Sequence, residues 1–571
     1  MADNDREAHR RWAQHMARYV ISDDYAPRYC ASKGAVYTDG GWLNALLHMC
    51  PRDQLLVAIT AGTRAAGAGS DALAQWTAYV LDHAAAGLDT LLRDVLEADD
   101  GGPPRVLVAR QPLLLALKLA LEHDPPASTG TSDPFVVATL LSHYAAREPA
   151  TGRIPDDAGR RVGGYAVPLA MEIVANTLFN APVEYGDLLA RTRLLWTAYE
   201  QRLTRATPRL PLRQLLREAT GMDLDDLLVL AFGVFAHADT AAAGAAQPLD
   251  LASMRLPQAS IDTFLSRFSA TAADLAASLG GAEGEWSFLP IEDTPLLRTG
   301  ATTAAVIDIR LMQRRFTSAL YWLVHDHEKA IDDQQRRLWT QVYSELVELY
   351  AEDILARLAP TRGGQTTFFS EEQLKLLGDT AVDCGIDFGD YLLIADVVQH
   401  QMTVPTRALC QIDAFEKDMH ATVHKKVRQL NGSIRALLGK PTHPAHPTGA
   451  RPQRILPVVV QGADFPVNPA TVGYARERAA ADGLLAQPEC GPLVIVTLDE
   501  LEMLDSLRHT GIATADEVLH SYAATGALNA LRNFVIETYG GTGLRLPPQM
   551  QGPLDEVFDM VQRAYAHLDQ P

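Results

Sequence analysis

Residues 381–403, AVDCGIDFGDYLLIADVVQHQMT, contain the pattern that decides the fold of the second half of this chain. Two apolar, alternating segments flank Gly389 and Asp390, and a Gly-Asp pair in that setting is typical of a tight β-hairpin. A two-residue turn there places Asp383 directly opposite Asp396 on the neighbouring strand. The sequence therefore predicts a hairpin that carries two facing carboxylates.

The two faces of this predicted hairpin differ in chemistry because successive side chains of a strand alternate. One face is apolar and suits a core, and it consists of Cys384, Ile386, Phe388, Tyr391, Leu393, Ala395 and Val397. The other face carries Asp383, Asp387 and Asp396. Facing carboxylates repel each other unless they are solvated, share a proton or hold a cation between them. Mg²⁺ prefers such oxygen ligands, whereas an exposed sheet face with scattered acids is the alternative interpretation.

Further strands and helices follow the hairpin. Apolar runs at 454–460 and 492–498 indicate strands, and helical periodicity covers 413–439, 468–485 and 499–511. Before residue 360 the apolar spacing is helical almost throughout, as in 73–98 and 166–179. We therefore predict an α+β protein, with a predominantly α-helical N-terminal region followed by a small mixed α/β domain. The expected division is into helical domains over 1–290, the α/β domain with its preceding helices over 291–515, and C-terminal helices over 516–571.

Composition limits the classes of partner. The chain has 571 residues and a formal net charge of −20, which argues against broad, non-specific binding to nucleic acid or to anionic membranes. Its five cysteines are scattered without a metal-binding spacing, as is usual in a reducing compartment. No apolar run is long enough for a membrane span, and the charged N-terminus does not look like a signal peptide. We expect a cytoplasmic protein without a membrane partner.

The order of elements, with one acid before a hairpin and one in its second strand, resembles the PD-(D/E)XK nuclease superfamily, here within a large helical protein of bacterial type. The resemblance implies a restriction-endonuclease-like fold in the α/β domain. It also implies that Asp383, Asp396 and a helix acid, Glu348 or Glu345, hold Mg²⁺ and form the catalytic site. Such enzymes carry a lysine two residues after the last acid, and this chain has Val398 there. That departure makes the site look degenerate.

The helix acids have a simpler interpretation. Glu345, Glu348 and Glu352 lie on the side of their helix opposite an apolar stripe, so a solvated helix face would explain them. Contact between this helix and the hairpin is what would distinguish the two interpretations.

A basic window follows the hairpin. Residues 419–463 contain no Asp or Glu, although the chain as a whole is acidic. We predict Lys425, Lys426, Arg428 and Arg435 as the nucleic-acid-binding residues, because basic side chains on one helix can follow a phosphate backbone. The alternative is a basic surface that docks on an acidic neighbour in the same protein or in a partner.

Three functions remain open at this point. The first is a nuclease-like protein with a degenerate domain that binds nucleic acid, in anti-phage defence or DNA processing. The second is an active Mg²⁺-dependent nuclease in which His400 or Lys425 replaces the missing lysine. The third is a non-enzymatic scaffold that binds a protein partner through its helical part.

Overall fold

The computed structural model of this protein describes a defined set of residues, to which every structural statement below refers. These are residues 30, 42–68, 70–83, 108–122, 132–145, 159–181, 184–240, 248–254, 256–279, 287–362, 364–375, 382–439, 452–462, 464–540 and 544–565.

The α-helices in chain order are α1 (Trp42–Leu47), α2 (Arg52–Ala68), α3 (Ser70–His83), α4 (Arg110–Glu122), α5 (Pro134–Ala145), α6 (Val167–Asn180), α7 (Tyr185–Thr197), α8 (Leu212–Thr220), α9 (Leu224–Thr240), α10 (Gln258–Phe268), α11 (Ala272–Leu279), α12 (Leu289–Asp293), α13 (Ile309–Arg315), α14 (Leu320–Ile331), α15 (Asp333–Leu358), α16 (Glu371–Lys375), α17 (Val404–Arg407), α18 (Ile412–Met419), α19 (Lys425–Leu438), α20 (Pro469–Ala481), α21 (Leu498–Thr510), α22 (Ala515–Ala524), α23 (Leu531–Tyr539) and α24 (Pro548–Tyr565). Short 3₁₀ turns lie at Glu200–Arg202 and Leu251–Ser253, and a π-helical segment lies at His420–His424.

The strands are β1 (Arg161–Val162), β2 (Tyr165–Ala166), β3 (Leu249–Asp250), β4 (Ser269–Ala270), β5 (Leu296–Arg298), β6 (Thr303–Val306), β7 (Thr361–Arg362), β8 (Gln365–Thr366), β9 (Phe368–Ser370), β10 (Cys384–Asp387), β11 (Leu392–Val398), β12 (Ile455–Gln461) and β13 (Val494–Thr497). The predicted α+β class is confirmed, because the chain is mostly helical and has several small mixed sheets.

The chain forms two compact units that are interleaved along the sequence. The first takes in 1–150, 220–317 and 560–571, and the second takes in 151–219 and 318–559. Neither unit has a boundary at residue 290 or 515, where the sequence pattern changes. Of the described helices, none combines the length and the apolar character that crossing a membrane requires.

The first unit is built on packed helices with a small sheet. Helices α2, α4 and α5 pack on one another, and β3, β6, β5 and β4 form a sheet in that order. A buried ion pair closes the start of α13: Asp308 caps the helix, and Arg110 donates to both of its carboxylate oxygens at 2.8 Å. Both side chains are almost fully buried, so the paired geometry offsets the loss of hydration.

The second unit is built around a five-stranded sheet in the order β13-β12-β11-β10-β9. Strands β9, β10 and β11 are antiparallel neighbours, and β11, β12 and β13 run parallel. The two parallel connections contain α19 and α20, as parallel pairing requires a crossover. Helix α15 packs against β9, β10, β11 and α21, and α19 packs against β11 and β12.

The predicted hairpin register is confirmed. Cys384 pairs with Ala395, so Asp383 lies opposite Asp396 in the same register. Gly389 has a φ of +95°, a conformation that glycine adopts without steric cost, and its N–H donates to Asp387 Oδ1 at 2.7 Å. Gly389, from which the turn was predicted, therefore also stabilises it.

The exposed-face interpretation of the hairpin is wrong. Every residue of β10, β11 and β12 is buried, so both faces of the central sheet are covered. Asp396 itself is 1% exposed. A strand whose sheet is covered on both faces is usually apolar along its whole length. For this reason Asp396 stands out as an isolated polar residue in β11.

Candidate functional site

Asp396 is the centre of the candidate site. It lies in the second half of β11, between Ala395 and Val397, both of which are 0% exposed. Its Oδ2 atom is buried and accepts no hydrogen bond from any N–H or O–H donor of the described residues. A buried carboxylate with an unpaired oxygen is costly for stability, so its presence points to a use other than packing.

Asp383 joins Asp396 across the hairpin. It immediately precedes β10, and its Oδ2 accepts a hydrogen bond from the Val397 N–H at 2.6 Å. This hydrogen bond links the two strands just before the start of β10. It also fixes the Asp383 carboxylate beside Asp396. The sequence prediction that brought these two acids together therefore matches the geometry.

Lys426 supplies the cation between these acids and the helix that follows. Its Nζ donates to Asp396 Oδ1 at 2.6 Å, and its side chain is only 17% exposed. The ammonium thus reaches the strand from α19, 30 positions further along the chain than Asp396. The sequence analysis placed Lys426 among the nucleic-acid-binding residues, whereas the structure turns it inward to the carboxylates.

The helical spacing around Lys426 explains this inward direction. The buried stripe of α19 contains Val427, Leu430, Ile434 and Leu437, and Lys426 stands beside it, four positions before Leu430. Lys425 lies outside that stripe and is exposed. A π-helical segment at His420–His424 precedes the lysines, and a π turn holds one residue more than an α turn. The extra residue shifts the sequence spacing of the buried face by one position, so only the apolar spacing after residue 424 distinguishes the two lysines.

Glu345 on α15 has a structural task. Its carboxylate is 3% exposed and accepts hydrogen bonds from the backbone N–H groups of residues 204, 205 and 206 at 2.6–2.8 Å. Burial would raise the pKa of Glu345, but these three N–H groups lower it below its ordinary value. Since both oxygens are occupied by backbone amides, Glu345 is not placed to act as the helix acid of the site.

Glu348 and Glu352 are the helix acids that face the hairpin. Burial and the neighbouring Asp383 raise the pKa of both carboxyls, that of Glu352 to about 7. Arg205 donates to Glu348 and opposes this rise at both positions. The interpretation of these acids as a solvated helix face is therefore wrong, because Glu348 is 16% exposed and α15 packs on the hairpin.

The charges of the site are strongly coupled. Burial and Asp383 raise the pKa of Asp396 well above its ordinary value, against the opposing effect of Lys426. Burial disfavours the charged form of Lys426, yet Asp396, Asp383 and Glu348 together raise its pKa. Two aspartates thus share one ammonium, and a second cation would relieve the remaining repulsion between them.

Asp383 and Asp396 fit a Mg²⁺ ion as two of its oxygen ligands. No three His, Cys, Asp or Glu side chains of the described residues are arranged so that they could hold a metal ion. Asp383 and Asp396 do lie together, and no N–H or O–H donor of the described residues occupies the Oδ2 atom of Asp396. Mg²⁺ is commonly held by one or two carboxylates, with water and substrate phosphate oxygens completing the shell.

The basic residues predicted to bind nucleic acid are divided between different surroundings. Lys425 and Arg435 are exposed on α19, and no ion pair involves either of them within the described residues. Arg428 donates to Asp482 at 3.0 Å, and His424 contacts the same carboxylate at 2.9 Å. The basic side of α19 is therefore partly neutralised within the protein, as its alternative interpretation expected. The part of the basic window from 440 to 451 lies outside the described residues.

The two residues considered as substitutes for the missing lysine lie elsewhere. His400 is directed to Asp418, with 3.9 Å between Nε2 and Oδ1, and its side chain is 42% exposed. Lys425 projects from the exposed side of α19. Lys426 is the residue that the structure brings to the aspartates.

Gln461 is a buried polar residue near the site that the sequence analysis did not consider. It ends β12, pairs with Val398 and is 1% exposed, and neither its Oε1 nor its Nε2 hydrogen-bonds to another described residue. Because partners in a parallel pair share a face, Gln461 lies on the same side of the sheet as Asp396. Its position directly after an apolar run, as the last residue of a strand, is a signal that could have identified it.

Comparison of the chain with protein-family models, with curated proteins and with solved structures found no match.

Proposed function

We propose that this protein is a divalent-metal-dependent nuclease of PD-(D/E)XK type whose lysine comes from the helix after the hairpin. The observation that carries the proposal is the contact between Lys426 Nζ and Asp396 Oδ1 at 2.6 Å, beside Asp383. A lysine at position 398 would reach the same carboxylates from the strand. The functional group that seemed to be missing is therefore supplied in space from a different part of the chain.

Each residue has a chemical role in this proposal. Asp383 and Asp396 would hold Mg²⁺, with Glu348 as the helix acid beside them, and the ion when bound supplies Lewis-acid stabilisation of the phosphate. The Lys426 ammonium lowers the cost of negative charge on an attacking water or a phosphate oxygen, because it is fixed in place before the substrate arrives. The buried surroundings strengthen this electrostatic effect.

The experiment compares Lys426 with an exposed lysine, Lys417, of the preceding helix. Labelled single-stranded and double-stranded DNA and RNA are incubated with the purified protein in Mg²⁺ or Mn²⁺, and in EDTA. We expect metal-dependent cleavage that Asp383→Asn and Asp396→Asn abolish and that Lys426→Ala lowers roughly 100-fold or more, as for removal of a fixed charge-stabilising group. Lys417→Ala, at an exposed position on α18, is the control and retains cleavage within about twofold, since an exposed lysine outside the site adds only screened charge.

Lys426→Ala leaves Asp396 buried without its partner, so its effect on folding is measured as well. Lys426→Arg keeps the positive charge and provides a second test. It is compared with the wild type once its thermal transition has been shown to match. Binding of nucleic acid without cleavage in any metal would favour the non-cutting alternative. Neither binding nor cleavage would contradict the proposal and favour a scaffold.

A further inference from the structure

The segment between α7 and α8 carries a cation to the rim of the candidate site. Glu345 accepts hydrogen bonds from the backbone N–H groups of residues 204–206, which holds this loop on α15. Pro211 directly precedes α8 and further restricts the backbone there. The loop therefore fixes the Arg205 backbone on Glu345, which lies one helical turn before Glu348 on α15.

The Arg205 side chain is half-exposed and has donors to spare. The side chain is 51% exposed and donates a hydrogen bond from Nη2 to Glu348, while Nε lies 3.8 Å from Glu345 Oε1. A guanidinium has five N–H donors in a planar fork, which suits bidentate contact with phosphate. Only the Nη2 group hydrogen-bonds to the described residues, so the Nη1 group is available to a ligand.

The other two arginines of this segment differ in their partners. Arg202 donates to both oxygens of Asp353 and stacks over Tyr199, so its guanidinium is engaged by partners within the protein. Arg209 donates to Glu218 and to Glu328. Arg205 alone of these three is paired with an acid that also faces Asp383.

The charge balance of the site requires such a residue. The acids around the hairpin repel a polyanion, and Lys426 is held inward on Asp396. Arg205 is the half-exposed cation beside these acids. We infer that Arg205 donates to a phosphate oxygen of the nucleic-acid strand bound at the site; this inference rests on the proposed function.

The test measures binding rather than cleavage. Binding of fluorescein-labelled DNA and RNA oligonucleotides is followed by anisotropy in Ca²⁺ over a series of salt concentrations, for the wild type and for Arg205→Gln, Arg205→Lys and Arg202→Gln. We expect Arg205→Gln to raise Kd roughly tenfold, as for loss of a charged hydrogen bond. The slope of log Kd against log salt should decrease by the amount that corresponds to the loss of about one phosphate contact. Arg205→Lys keeps the charge but loses the planar fork of donors, so its Kd should lie between those of the wild type and Arg205→Gln.

Arg202→Gln is the matched control, since it removes an arginine of the same segment that also pairs with an acid of α15, and it should keep the wild-type Kd within about twofold. A wild-type Kd and salt slope in Arg205→Gln would overturn the inference and leave the proposed function standing. An equal loss in Arg202→Gln would overturn it too, because the effect would then be a general charge effect. If the wild type neither binds nor cuts any oligonucleotide, the proposed function fails and the inference with it. If Arg205→Gln does not fold, Arg205→Lys decides through Kd alone: a raised Kd with an unchanged salt slope supports the inference, and a wild-type Kd overturns it.

Discussion

Asp396 is a carboxylate in an apolar strand, and its neighbours decide whether it carries charge. Burial and Asp383 favour its neutral form, whereas the ammonium of Lys426 favours its charged form. Substituting a neutral residue would relieve this conflict, so we regard the conflict as a cost that function imposes on the fold. The Gln461 amide on the same face is also buried, and it makes no hydrogen bond to the described residues. It is therefore unfavourable for folding as well.

Glu352 leads to a prediction about pH. Its pKa is raised to about 7 by burial and by Asp383, with Glu348 and Glu371 adding to the rise and Arg205 opposing it. A carboxyl whose pKa is higher in the folded than in the unfolded state contributes stability at low pH, and this contribution is lost as pH rises through about 7. In EDTA, Tm of the wild type should therefore fall by about 2 °C relative to Glu352→Gln between pH 5 and pH 8.

Scanning calorimetry of both proteins at several pH values checks this expectation. The comparison between the two proteins cancels other groups that titrate in the same range, such as Asp187. A constant difference in Tm across the range would show that Glu352 does not titrate there.

At the scale of elements, the site depends on how three of them meet. The hairpin of β10 and β11 brings Asp383 to Asp396, α15 adds Glu348 and Glu352, and α19 adds Lys426. The hairpin needs only a local turn, whereas the two helices reach it through packing. The loop at 204–206 is in turn placed by α15 through Glu345.

Glu345→Gln tests this last connection. A glutamine has one acceptor oxygen in place of two, so it cannot satisfy the three N–H groups that Glu345 holds. We expect the amides of residues 204–206 to exchange with solvent roughly tenfold faster, and the protein to lose about 2 kcal/mol of stability. Hydrogen exchange followed by mass spectrometry measures the first effect, and urea denaturation the second.

The control is Gln341→Ala, an exposed position one turn earlier on the same helix. It should change neither measurement, because surface substitutions away from such contacts are nearly neutral. Unchanged exchange at 204–206 in Glu345→Gln would contradict the assigned role of Glu345.

At the scale of the whole molecule, the second unit is assembled from two separate stretches of chain. Residues 151–219 belong with 318–559 and contribute α6 and α7. Arg191 on α7 donates to both oxygens of Glu502 at 2.5–2.6 Å, and the Tyr350 hydroxyl donates to the same carboxylate at 2.5 Å. Glu502 is 2% exposed, so this network lies inside the unit and its loss would leave a buried carboxylate unpaired.

This interleaving predicts how fragments behave. A fragment of residues 291–571 contains the whole five-stranded sheet but lacks Arg191 and the loop that carries Arg205. We expect it to melt without a cooperative transition, because Glu502 loses Arg191 and Glu345 loses the N–H groups of residues 204–206. Circular dichroism during heating checks this, with the full chain as the control. Addition of separately produced 151–219 should partly restore the transition, and a cooperative, native-like melt of 291–571 alone would contradict the prediction.

Local pattern was enough for the hairpin and for the α+β class. The turn at Gly389 and Asp390, the alternation of side chains and the register of Asp383 with Asp396 depend on neighbours within about ten residues, so they can be read from the sequence. The strands after the hairpin were also placed correctly to within about two residues.

Only the tertiary structure decided which residues surround those two acids. Lys426, Glu345 and Arg205 acquire their partners through contacts that span from 30 to 143 positions along the chain. Spacing within one element does not encode such contacts, because they depend on which faces of distant elements pack together. For the same reason the sequence showed a missing lysine at Val398, whereas the folded chain places a lysine at Asp396.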